Sequence, residues 1–178
     1  MSSTLRPDNL KAALDAKVAA SMAQLAEVRE MEQPRLTPHL NPRETVRAFL
    51  LYARSICPLL RTFGSTQAGE LQFNAWYEQW VKGLSDADRA LWNQFRDDGV
   101  QQEHGRGAEL IDVEISVAAD PSVAMQPPLP VARADVRKRL VRFAAYANRP
   151  ASNVCGDYLR LARVFAHDFV RDHARFLP

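Results

Sequence analysis

The segment 152–175 constrains the fold more than any other. Val154, Tyr158, Leu161, Ala162, Phe165, Phe169 and Phe176 recur at helical spacing along one side, and Arg160, Arg163, His167, Arg171 and Arg175 recur along the opposite side. A periodicity of 3.6 with apolar and cationic sides opposed predicts a long amphipathic helix, whose apolar stripe must be buried against other elements. Ser152 is placed to cap its start.

The rest of the chain offers matching partners. Leu10, Leu14, Val18, Met22, Leu25 and Val28 predict a helix over 8–33, with Pro7 where a first-turn proline is tolerated. This helix reads as an N-terminal arm, residues 1–33, that packs on the main body or on a second subunit. Pro34, Pro38 and Pro42 mark a connector. Asn41-Pro42 is a helix start, with the asparagine as cap. That helix is expected to run to Gly64, kinked or split by Pro58. Phe73, Trp76, Tyr77, Trp80, Val81 and Leu84 then predict a helix whose aromatic side belongs to the core. Ser85 caps the next one, which directs Leu91, Trp92 and Phe95 inward and ends at Gly105-Arg106-Gly107.

The period changes at Ile111. Ile111, Val113, Ile115 and Val117 alternate with Asp112, Glu114 and Ser116, a half-buried strand with an acidic outer side. A single strand is unstable alone. Its partner is expected at Val123 to Met125, at Leu129 to Val131, or in a second subunit, followed by a helix over 133–147. The expected fold is therefore mainly α: an antiparallel helical bundle over 43–178, with a long N-terminal helix and a small β-hairpin near 109–131.

Charge is segregated along the chain. Residues 97–120 hold seven acids and one base, whereas 131–178 hold ten Lys or Arg and four Asp. The basic end would meet a polyanion or the chain's own acidic middle. Cys57 and Cys155 lie in apolar helical contexts without metal or redox spacing, and read as buried thiols in a reducing compartment. Four scattered histidines give no zinc pattern, so no metal and no cofactor are expected. No apolar run approaches membrane-spanning length and no secretory layout opens the chain, which points to the cytoplasm.

The polar stretch Phe95 to Gly105 is the one segment that looks like a site. His104 beside Gly105 would move a proton at neutral pH. Chemistry on a phosphodiester also needs a guanidinium to hold the phosphate. An aromatic helix, a Ser-capped helix and a polar stretch ending in His104-Gly105 together resemble the HEPN superfamily, small helical bundles that include metal-independent ribonucleases and their degenerate relatives, many of them dimers. The resemblance implies His104 as acid/base and a homodimer acting on RNA. The superfamily's motif places an arginine ahead of the histidine with four to six residues between them, positions held here by Gly99, Asp98 and Asp97. Arg96 lies one step farther and Arg106 lies after the histidine. Arg96 or Arg106 would then hold the phosphate, and Arg160, Arg163 and Arg171 would guide the strand. The alternatives are a homodimeric interaction module without chemistry that takes a protein partner, a carboxylate pair drawn from Asp97, Asp98 and Glu103, and a DNA-binding regulator using the terminal helix.

Overall fold

The computed structural model describes residues 7–33, 41–68, 70–95, 109–117 and 136–173. Six helices and a two-stranded antiparallel sheet follow in the order α1 (Pro7–Glu32), α2 (Pro42–Arg54), α3 (Ile56–Ala68), α4 (Glu70–Gly83), α5 (Asp86–Phe95), β1 (Leu110–Val117), β2 (Val136–Phe143) and α6 (Ala151–Asp172). The fold is mainly helical with a small β element, as the periodicities predict.

Helix starts follow local chemistry. The Asn41 side chain accepts from the amides of Arg43 and Glu44, with Pro42 in the first turn of α2. The Ser85 hydroxyl accepts from the Asp88 amide, capping α5. The break between α2 and α3 is the work of Pro58. Proline has no N–H for the carbonyl four residues back, and that residue is Arg54, the last of α2. Pro58 itself occupies the third position of α3, where no intrahelical donor is required. The Lys17 ammonium of α1 reaches the Ser55 hydroxyl at this joint, 2.9 Å away.

Gly64 does not end the helix. It lies inside α3 and faces two rings: a Cβ there would stand 2.5 Å from Phe73 Cδ2 and 3.1 Å from Phe169 Cε2. Close approach, not backbone freedom, requires the glycine.

The core is aromatic and centred on α6. Phe165 packs with Trp76, Tyr77, Trp80 and Trp92, ring centroids 4.9–5.9 Å apart. Trp76 and Trp80 donate their indole N–H groups to Asp172 and Asp168 of α6. The rings of α4 are thus anchored core, not an exposed platform for bases. Leu10, Leu14, Leu25, Val28 and Met31 place α1 in the same core cluster.

The sheet corrects two expectations. The partner of β1 is Val136–Phe143, so the expected helix over 133–147 is a strand there, followed by a single 3-10 turn at Ala144–Tyr146. The spacing of Val136, Leu140, Val141 and Phe143 fits either period, and pairing decides it: β1 supplies an unsatisfied backbone and Glu114 directly opposite Arg139, 3.5 Å apart. The acidic middle of the chain therefore meets the basic end. The acidic side of β1 is also not simply an outer one. Asp112 and Glu114 stay exposed, yet they share a face with Val141 and Phe143, which are buried in the core. Asp112 turns toward α2 and takes two hydrogen bonds from Arg43, at 3.1 and 3.0 Å. This pairing holds the Asp112 carboxyl below its ordinary range.

Candidate anion-binding cleft

The start of α6 is capped from a distance. Pro150 occupies the cap position and offers no side chain, and Ser152 does not cap it either. Glu32, the last residue of α1, does so instead. Its Oε1 accepts from the amides of Ala151 and Ser152 and from Arg142 Nη1 at 2.7 Å, while its Oε2 accepts from the Ser152 hydroxyl. A carboxylate at a helix N-terminus offsets the positive end of the dipole. Arg142 brings β2 to the same point, so one side chain ties three elements together.

This clasp sets α1 alongside α6, and a cleft of about 510 Å³ opens between them. Met22, Leu25 and Leu159 contribute its apolar lining, and Arg29, Arg149, Arg160 and Arg163 its cationic lining. Because Glu32 already satisfies the α6 terminus, the positive character of the cleft comes from these guanidiniums. The Arg29 guanidinium reaches the α6 backbone at Gly156, where a Cβ would lie 3.9 Å from Nη2.

The four arginines are not equivalent. Arg149 pairs with Asp157 at 2.6 Å, and Arg160 with Asp88 of α5 at 2.5 Å. Arg29 and Arg163 have no carboxylate partner among the described residues. Asp157 and Asp88 offset two of the four charges, and Arg29 and Arg163 leave an excess of positive charge on the recess. The arrangement is relieved by an anion with oxygens for several donors, and planar guanidinium groups suit phosphate or carboxylate.

Of the residues singled out from sequence, Arg160 and Arg163 line the cleft, and Arg171 does not. Arg171 lies two turns farther along α6, held by Asp168 at 3.0 Å and Asp172 at 2.7 Å. His104, Arg96 and Arg106 lie outside the described residues, as do Asp97, Asp98 and Glu103. Sequence reasoning missed Arg29, Arg149 and Glu32. Nothing in their local sequence marks them, since only the packing of α1 on α6 gives them a common neighbour.

No family model, curated protein or solved structure matches the chain. The candidate site therefore rests on its own chemistry.

The Cys155 thiol is buried, and burial followed by the nearby Glu32 charge pushes its pKa far above the usual thiol range, so it is no nucleophile. Among the described residues, no cluster of His, Cys, Asp and Glu is arranged to hold a metal ion. Among them, too, no helix is long and apolar enough to cross a membrane.

Proposed function

We propose that the α1–α6 cleft binds the phosphates of a polyanion, and that this polyanion is RNA. The observation that carries the reading is the convergence of Arg29, Arg149, Arg160 and Arg163 on one recess, two of them free of carboxylates among the described residues. Clustered guanidiniums are sufficient for phosphate binding, and the choice of RNA follows the HEPN resemblance. In this reading His104 is the acid/base and Arg96 or Arg106 grips the scissile phosphate. The cleft then holds a flanking part of the strand, in a homodimer.

Fluorescence anisotropy with a labelled oligoribonucleotide tests it. Replacing Arg29 and Arg163 together by Ala should weaken binding at least tenfold and reduce the slope of log affinity against log salt by about 1.4, at roughly 0.7 per lost phosphate contact. Unchanged affinity and slope would refute the cleft. Separately, His104→Ala should abolish RNA cleavage while leaving binding and circular dichroism intact.

A second reading, a homodimeric interaction module without chemistry, draws support from Leu51 and Tyr52, neighbours on α2 that are 69% and 41% exposed. A dimer that dissociates on Leu51→Asp in sedimentation velocity, with RNA binding absent throughout, would favour it.

A further inference from the structure

Two of the four cleft arginines are already occupied by the protein's own carboxylates, and the geometry has a consequence for binding. Asp157 stands in the cleft beside Arg149, 2.6 Å from its Nη2. Asp88 reaches Arg160 from α5, across a gap of 72 residues in sequence, at 2.5 Å. Both contacts are between partly exposed side chains. They place a carboxylate where an incoming phosphate oxygen would otherwise sit, because carboxylate and phosphate use the same guanidinium donors.

We infer that Asp88 and Asp157 are internal competitors that restrain the cleft, so that Arg29 and Arg163 make the first phosphate contacts and Arg160 and Arg149 join only when a longer polyanion displaces the two carboxylates. The inference rests on the phosphate-binding reading of the cleft. Exposed ion pairs of this kind are worth little, so displacement is within reach of a multivalent ligand. A lone phosphate resting on Arg29 and Arg163 leaves both carboxylates in place, whereas a chain brings further phosphates to Arg160 and Arg149. Displacement therefore depends on phosphate number, and its cost falls on chains and not on mononucleotides. The Asp88 contact also crosses from α6 to α5. Occupying Arg160 with ligand thus removes one tether between α6 and α5.

The test is a gain of binding, which a misfolded variant does not mimic. Full-length wild type, Asp88→Asn and Asp157→Asn are titrated into a fluorescein-labelled oligouridylate of about 12 nucleotides and, separately, into labelled uridine monophosphate. Each variant should bind the oligomer about two- to fivefold more tightly. Its salt slope for the oligomer should match that of wild type, because the same four arginines meet phosphate once the carboxylates are displaced. The monophosphate's affinity should change less than the oligomer's, because a single phosphate on Arg29 and Arg163 leaves both carboxylates in place. Adding Arg160→Ala to Asp88→Asn should erase the gain. Variants that match wild type in oligomer affinity, or that gain equally for oligomer and monophosphate, would overturn the internal competition while leaving the cleft intact as a binding site. Oligomer binding absent from wild type and both variants would overturn the cleft reading itself, and this inference with it.

Discussion

The Glu32 carboxylate at the end of α1 accepts the hydroxyl of Ser152 in the first turn of α6, across 120 residues of sequence. The same carboxylate takes the Ala151 amide and the Arg142 guanidinium. Both side chains of the Glu32–Arg142 pair are largely withdrawn from water, at 11% and 17% exposure.

Removing Glu32 leaves a sheltered guanidinium and the first amides of α6 without acceptors. Truncating one partner of such a pair is costly because the other charge remains. Glu32→Ala should lower stability in urea denaturation by about 2–4 kcal/mol, combining a lost helix cap with an unpaired cation. Glu32→Gln, which keeps an acceptor for the amides, should cost less. The double variant with Arg142→Met should recover part of the loss, because the orphaned cation is gone. Strictly additive losses in that cycle would contradict the pairing.

Gly64 offers a test in the opposite sense from helix propensity. An alanine inside a helix is ordinarily worth about 1 kcal/mol over glycine. Here the new Cβ would enter the space of Phe73 and Phe169, and overpacking of a filled core costs roughly 1–3 kcal/mol. Gly64→Ala should therefore lower the thermal midpoint, and Phe73→Leu in that background should restore part of it. A midpoint equal to or above wild type would show that the contact yields freely.

The acid limb of stability should carry a contribution from Asp172. Its carboxyl lies below the ordinary value of 3.8, chiefly because it accepts from Arg171 and then from the Trp76 indole. A depressed folded pKa means that the stabilisation is complete above the unfolded value and is lost as pH falls through the folded one. The thermal midpoint should decline below about pH 4. Asp172→Asn should start lower at neutral pH, by less than about 1 kcal/mol for so exposed a pair, and decline less steeply. Parallel acid limbs for the two proteins would exclude the contribution.

Much of the architecture is legible locally. The capped starts of α2 and α5, the aromatic side of α4, the two-sided character of α6 and the alternation of β1 all follow from spacing and side-chain type within a dozen residues. Pro58 announces a break, because a missing donor acts on a neighbour at fixed distance.

What the chain could not announce was anything whose cause lies far along it. Val136–Phe143 is a strand because β1 needs backbone partners and Arg139 meets Glu114. Gly64 sits in mid-helix as a close-contact residue, crowded by two rings that come from α4 and α6. Ser152 yields its capping role because Glu32 arrives from α1. The cleft belongs to the same class. Arg160 and Arg163 show as a stripe on one helix, whereas Arg29 and Arg149 join them only when α1 lies against α6. Helix periodicity is a short-range property of the backbone, but a binding recess is a meeting of surfaces, and that meeting is decided by packing.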